Sequence, residues 1–284
     1  MSFRPFIFRK VTIVGVGLIG GSLALAIKKY KLAREVVGYS QKSSSLEWAM
    51  KNMVIDQAYQ DVKKAVVNAD LVVLATPVGA IAGMMEIIGP HLKRSCVVTD
   101  VGSTKATIVH AAQTVLPNPT LYVGSHPLAG SEKRGVEHAS VDLFQNSLCI
   151  MTPTPNVSRG AAGRVKQLWT TVGCRVKQMS ADEHDQTMAY ISHLPHVLAY
   201  SLAETVPSEY AEYAAQGLKD TTRIAGSSPQ MWADICMTNP KNIIQSLDQV
   251  VGILCALRKA MATSDQKVIL DHFTNAKNKR DRIG

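Results

Sequence analysis

The sequence predicts an α/β fold: a doubly wound, mostly parallel sheet over residues 1–180, followed by an all-helical domain over residues 181–284. Three observations predict it. Short β-branched runs recur up to Ser180, stretches of helical periodicity separate most of them, and beyond Ser180 the strand-like runs stop. A chain of 284 residues also favours two domains.

The runs are VTIVGVG from Val11, EVVGYS from Glu35, LVVLATP from Leu71, CVVTDVGS from Cys96, LYVGSHP from Leu121, SLCIMTP from Ser147 and CRVKQMS from Cys174. Several are almost continuously apolar, as expected of strands covered on both faces. Leu18 to Tyr30 and Gly160 to Thr171 carry helical spacing between them. The segment SADEHD reads as a helix start, with Ser180 as cap and Asp182 and Glu183 in the first turn. Pro207, the GSSP at Gly226 to Pro229, and Asn239-Pro240 then punctuate the helical part, and the Lys- and Arg-rich last eight residues read as a solvated, frayed tail.

A chain that is 46% hydrophobic and 19% charged can bury a core, which excludes intrinsic disorder. Its net charge of +9 invites an anionic ligand. The basic excess lies before residue 180, and its lysines and arginines are scattered without interleaved aromatics, which argues against nucleic acid. Five cysteines without a CxxC pair fit reduced thiols in a cytoplasm. The N-terminal apolar run is too short for a signal peptide, and the longest uncharged apolar stretch, Leu71 to Met85, falls short of a membrane span.

Gly15-Val16-Gly17-Leu18-Ile19-Gly20 follows one strand and opens a helix, the strand-turn-helix context of a Rossmann-type dinucleotide site. The glycines serve the turn, the approach to a pyrophosphate and the helix-strand packing; Leu18 and Ile19 begin the helix whose N-terminus favours the anion. About 20 residues on, NAD enzymes place a carboxylate on the ribose. Here Ser40, Lys42 and Ser43 stand instead, which suits the 2′-phosphate of NADP; the plain alternative is a polar loop with NAD bound without its usual acidic partner. Thr76 and Pro77, at the end of the run from Leu71, belong to the same cofactor crevice by the strand-end rule.

Ser103 and His126 also follow strands and point toward that crevice, although Ser103 can equally cap the helix that starts at Thr104. His193 and His196 share a helical face that Pro195 should kink; without HExxH or CxxC they make a poor metal site, and no metal is expected. Lys219 and Arg223 stand one helical turn apart, with Asp220 available to orient Arg223. That is either a salt-bridged surface or a carboxylate clamp.

Taken in order, GVGLIGGSLA, LATPV, TDVGSTK, GSHPLAGSEKRGV, ISHLPH and GLKDTTRIAGSSPQMW resemble the prephenate/arogenate dehydrogenase family of tyrosine biosynthesis. The likeness runs from Val11 to about Trp232, and HPxAGxExxG combined with SHLPH and KDxTR is its specific part. The resemblance implies oxidative decarboxylation of prephenate, with a hydride passed to NADP or NAD and 4-hydroxyphenylpyruvate formed. It implies that His126 accepts the hydrogen bond of the ring hydroxyl, with Ser103 orienting it, and that Arg223 binds a substrate carboxylate supported by Lys219 and Asp220. His196, Glu132 and Trp232 are placed at the substrate, and the helical domain is implied to form a homodimer. Because the role of His126 needs a neutral imidazole, activity is expected to rise with a pKa of about 6 to 7.

Ser40 departs from the acidic residue of NAD-using members. No fused mutase or regulatory domain is expected after residue 284, so feedback by tyrosine would act at or near the active site. His196 and Glu132 lean toward prephenate, with dual use of arogenate or an arogenate-specific enzyme as the alternatives. More distant ones are a 3-hydroxyacid dehydrogenase, an imine reductase, or a nucleotide sensor without catalysis.

Overall fold

The computed structural model describes residues 6–130 and 133–283. Among them one sheet contains β1 (Phe8–Val14), β2 (Ala33–Tyr39), β3 (Gln57–Tyr59), β4 (Leu71–Leu74), β5 (Val97–Asp100), β6 (Tyr122–Pro127), β7 (Leu148–Thr152) and β8 (Arg175–Gln178). The order is β3-β2-β1-β4-β5-β6-β7-β8. Strands β1 to β6 pair in parallel, β7 runs antiparallel to β6, and β8 is parallel to β7. Each of the seven runs read from the sequence is a strand. The additional one, β3, has three residues, none of them buried, and therefore no apolar run to read.

Alternation along the parallel strands divides the core into two layers. Val11, Ile13, Val36, Leu71, Val73 and Val97 join one cluster, with α1 (Leu18–Lys29) and α6 (Arg159–Thr171) supplying Leu23, Ile27, Val165 and Trp169. Val14, Val37, Val72, Leu74 and Val98 join the other, against α4 (Ile81–Ile88) and α5 (Ala106–Val115). Both faces are thus covered, which explains why these strands lack polar residues at alternate positions. Removing a fully buried ring such as that of Trp169 would cost about 3–5 kcal/mol. Two short helices, α2 (Ser43–Lys51) and α3 (Val62–Ala65), precede and follow β3 in the chain.

Beyond β8 the chain is helical: α7 (Ala181–Met188), α8 (Leu194–Glu204), α9 (Gln216–Thr222) and α10 (Pro229–Thr238). Ser180 caps α7 as expected, its hydroxyl accepting the Glu183 N–H at 3.1 Å. Pro195 does not sit inside a bent α-helix. A π-helical turn over Ala189–His193 precedes α8, so the proline falls in the first turn of a new helix, where its missing N–H costs nothing.

The division into compact units falls after Asn239, later than the change from strand to helix at Ser180; α7 to α10 group with the sheet. The second unit holds α11 (Pro240–Ala262) and α12 (Gln266–Ile283), with Val251, Leu254, Met261, Leu270 and Phe273 exposed. The basic C-terminal segment, expected to fray, is helical through Ile283, and the Lys277–Asp281 pair at 2.6 Å spans one turn of it. Among the described residues no helix is long and apolar enough to cross a membrane.

Candidate active site

The parallel strands β1, β4, β5 and β6 present their carboxyl ends to one crevice, and the chain reverses strand order between β1 and β4 there. After Val14 the backbone turns at Gly15, whose φ is +108°; a Cβ would stand 2.5 Å from the Ala75 carbonyl oxygen. A Cβ at Gly20 would stand 2.1 Å from the Gly15 oxygen. These two glycines are demanded by packing. Gly17 is different, because a Cβ there meets nothing within 4 Å. That open space faces the start of α1, where Leu18 and Ile19 are half-buried and neither a capping side chain nor an acidic residue occupies the first turn. Free N–H groups at the positive end of a helix dipole, with no Cβ in the way, fit a dinucleotide pyrophosphate.

The strand ends beside this loop add polar groups. Thr76 Oγ1, at the end of β4, is buried without a hydrogen-bond partner, and Pro77 opens the turn that follows. After β2, Ser40 Oγ accepts the Lys42 N–H at 3.2 Å, and Lys42 and Ser43 are exposed at the start of α2.

His126 lies in β6 and is 9% exposed. The side chain that holds its ring is His184, not Ser103: His126 Nδ1 and His184 Nε2 are 2.9 Å apart. His184 Nδ1 lies 2.8 Å from Asp185 Oδ1. The same carboxylate accepts the main-chain N–H groups of Lys105 at 2.7 Å and Ala106 at 2.9 Å, so it caps α5 from outside. Ser103, offered as that cap, lies upstream on the loop, half-buried; the helix starts at Ala106 and takes its cap from Asp185.

These contacts decide where the protons are. A carboxylate accepting two N–H groups accepts a third from His184 Nδ1, which leaves His184 Nε2 as the acceptor in a neutral ring. His126 must then donate through Nδ1, and its Nε2 carries the lone pair. No described residue bonds to that nitrogen. Burial holds the His126 pKa well below the ordinary histidine range, and the neighbouring His184, the Lys105 cation and His193 push it the same way. That direction runs against the value of about 6 to 7 expected from the sequence, which does not reveal how dry this imidazole is.

Lys105 is buried through an ion pair with Asp100. Asp100 also accepts from Tyr122 OH at 2.8 Å, Gly102 N at 2.8 Å and Ser125 N at 3.2 Å. Such multiple donation is what makes a buried carboxylate tolerable. It also fixes the end of β6 directly before His126.

In the helical part, Asn239 Nδ2 donates to the Asp185 carbonyl at 2.8 Å and contacts His193 Nδ1 at 3.2 Å. A carbonyl can only accept, so the Asn239 amide nitrogen is the donor in both contacts; His193 accepts through Nδ1 and carries its proton on Nε2, which is buried without a hydrogen-bond partner. Burial lowers the His193 pKa to about 4. His196 Nδ1 donates to the Ser192 carbonyl at 3.0 Å; burial, and then the Arg223 cation, lower its pKa. Both histidines meet Trp232 of α10, whose Nε1 is buried without a partner. Ser228 caps α10 and Pro229 starts it, which sets the direction of that indole.

Arg223 follows α9 and is exposed, as are Lys219 and Asp220. Asp220 does not orient Arg223: its carboxylate accepts Gln216 Nε2 at 2.7 Å, one turn back on the same helix. Glu132 lies outside the described residues. Among the described residues no group of three or more His, Cys, Asp or Glu is placed to hold a metal ion. The sequence brought Ser103, His126, His196, Arg223 and Trp232 forward, but missed His184, Asp185, His193 and Asn239 as parts of the buried network.

Residues 23–178 match the family described as prephenate dehydrogenase, nucleotide-binding domain, and residues 180–275 match prephenate dehydrogenase, dimerization domain. The chain is 34% identical to the cyclohexadienyl dehydrogenase of Zymomonas mobilis, over 96% of each chain. It is 36% identical to the prephenate dehydrogenase of Bacillus subtilis, over 96% of this chain and 76% of that one. Among solved structures, the prephenate dehydrogenase of A. aeolicus in complex with hydroxyphenyl propionate and NAD+ superposes with a TM-score of 0.90 at 30% identity, covering 100% of both chains. An arogenate dehydrogenase of Synechocystis superposes with a TM-score of 0.81 at 26% identity, covering 97% of this chain and 100% of that one.

Proposed function

Because the chain belongs to the prephenate dehydrogenase family, we propose that it oxidatively decarboxylates prephenate to 4-hydroxyphenylpyruvate, using NADP in preference to NAD. The observation that carries this reading is the 2.9 Å contact between His126 Nδ1 and His184, which leaves His126 Nε2 without a partner among the described residues at the end of β6. A nicotinamide held by Gly15, Gly17, Gly20, Thr76 and Pro77 would supply the hydride acceptor. His126 Nε2 takes the proton of the ring hydroxyl as the carbon bearing it loses hydride and becomes carbonyl-like. The C–C bond to the ring carboxylate then breaks, CO2 leaves, and the electron pair completes the aromatic ring. The proton returns from His126 to the phenolic oxygen, so none is consumed.

Arg223 binds a substrate carboxylate, with Lys219 adding positive charge and Asp220 keeping the helix turn in register through Gln216. His196 offers Nε2 as an acceptor and Trp232 its unpartnered N–H as a donor toward the substrate. Ser103 is assigned to the nicotinamide side of His126, and Glu132 to the mouth of the site. The preference for NADP rests on Ser40, Lys42 and Ser43 standing where a ribose-binding carboxylate would repel a 2′-phosphate. We assign nucleotide binding to residues 1–180 and substrate binding and homodimerisation to 181–284, the dimer using the apolar side chains exposed on α11 and α12.

Absorbance at 340 nm during steady-state turnover, with prephenate and arogenate each offered NADP and NAD, tests the reading. Fastest reduction with prephenate and NADP is expected. Arogenate is the second substrate to expect, given the likeness to an arogenate dehydrogenase. Cofactor binding without reduction of any pair would replace the enzyme with a nucleotide sensor.

A further inference from the structure

We propose that His184 and Asp185 are positioning residues that fix the His126 proton on Nδ1 and so keep Nε2 free as the acceptor. The inference rests on the assignment of His126 as the proton acceptor, and deepens it. With both rings neutral, as their burial favours, the geometry has one consistent wiring. Asp185 is tied by two main-chain N–H groups at 2.7 and 2.9 Å and cannot turn away. It therefore takes the His184 Nδ1 proton at 2.8 Å, which leaves His184 Nε2 bare, and His126 Nδ1 supplies the only proton for the 2.9 Å contact.

The alternative tautomer of His126 would set two bare nitrogens against each other inside a buried site, which leaves both without a donor. In the forward step the wiring also helps. When His126 Nε2 gains a proton, the new cation donates to His184 Nε2, and the charge is felt by the Asp185 carboxylate behind it. The arrangement is the one by which a buried carboxylate steers an imidazole in hydrolytic triads, lengthened by one ring.

Two substitutions at His184 separate wiring from packing. His184→Gln keeps an acceptor toward His126 and a donor toward Asp185, whereas His184→Leu fills the space with neither; both leave the Asp185 cap of α5 in place. Tautomers are read from 15N chemical shifts of the labelled histidine rings in the full-length protein without substrate, and kcat and KM from prephenate turnover. The expected result is a lone-pair signal at His126 Nε2 in the native protein and His184→Gln, and a loss of that signal in His184→Leu. For turnover, kcat falls about 100-fold or more in His184→Leu with KM within about threefold, and recovers to within about tenfold of native in His184→Gln.

Native His126 carrying its proton on Nε2, or His184→Leu with unchanged kcat, overturns the proposal. Asp185→Asn cannot accept from all three donors at once, so its kcat falls too; a variant with lowered Tm and native kcat would confine Asp185 to capping and overturn its share. Because the ring shifts need no turnover, a native protein inert toward prephenate would sink the proposed reaction and leave the tautomer result standing.

Discussion

His196 lies flat against Trp232, with ring centroids 3.5 Å apart and planes 20° from parallel, while the edge of His193 meets the same indole at 6.2 Å. One tryptophan therefore sets two imidazoles. A stacked aromatic pair contributes about 0.5–1.5 kcal/mol beyond its buried area. Trp232→Phe, which keeps a face for His196 and loses the N–H, should raise KM for prephenate several-fold with little change in Tm. Trp232→Ala should lower Tm as well, since removal of a buried ring costs about 3–5 kcal/mol. Steady-state kinetics and thermal unfolding on the two variants separate the effects.

The acceptor and the clamp should fail differently. His126→Asn removes the basic nitrogen and is expected to lower kcat about 10²–10⁴-fold with little change in KM. Arg223→Ala should mainly raise KM, because an interaction made equally in the ground and transition states is lost as binding. The opposite pattern from initial-rate measurements would exchange the two roles.

Glycines of the first loop divide into those required by the fold and one that the ligand requires. Gly15→Ala places a methyl 2.5 Å from the Ala75 oxygen and should unfold at a clearly lower temperature. Gly17→Ala meets nothing within 4 Å and should keep Tm within a few degrees. Its methyl enters the space assigned to the pyrophosphate, so the cofactor Kd should rise tenfold or more, about 1.4 kcal/mol. Fluorescence titration with NADPH measures it; native affinity in Gly17→Ala would remove the pyrophosphate from that seat.

Ser40→Asp restores the missing carboxylate. A like charge beside a 2′-phosphate costs several kcal/mol when desolvated, so the NADP-to-NAD ratio of kcat/KM should fall on the order of 100-fold. An unchanged ratio would place the ribose away from Ser40.

Acid should act on rate and on stability through the same buried rings. His126 reacts neutral, and burial together with His184, Lys105 and His193 lowers its pKa, so the acid limb of kcat/KM should lie below the ordinary histidine range and the profile should be flat above it. Histidines whose folded pKa is depressed bind fewer protons than the unfolded chain between the folded and unfolded values, so stability falls as pH drops through that window. For His193 the window runs from 6.5 down to about 4, worth on the order of 3 kcal/mol. Thermal unfolding between pH 7 and pH 4 should be less pH-dependent in His193→Asn than in the native chain.

What could be read in the sequence followed from local rules. Continuous apolar runs announced strands covered on both sides, and the glycine spacing announced the loop after β1. Ser180 was legible as a cap because its bond reaches only three residues ahead. His184 and Asp185 were hidden just past that same helix start: one carboxylate among three in six residues looks like any other, and its partners at Lys105 and Ala106 stand about 80 residues away. Asp220 misled for the opposite reason. Its spacing to Arg223 allowed a pair, but Gln216 was one turn away on the other side and took the carboxylate. The depressed pKa of His126 depends on burial from several elements, which no spacing records.

Asp185 closes the helix behind the Ser103 loop from a position that the ribosome delivers long after that loop, and His184 reaches His126 across 58 residues of chain. The strand that carries His126 is therefore synthesised before the residue that contacts its ring. In the folded chain α7 must lie against the start of α5 for Asp185 to reach the Lys105 and Ala106 N–H groups and for His184 to reach His126. One carboxylate thus ties two distant stretches of chain together, since Asp185 bonds both the start of α5 and the ring that touches His126.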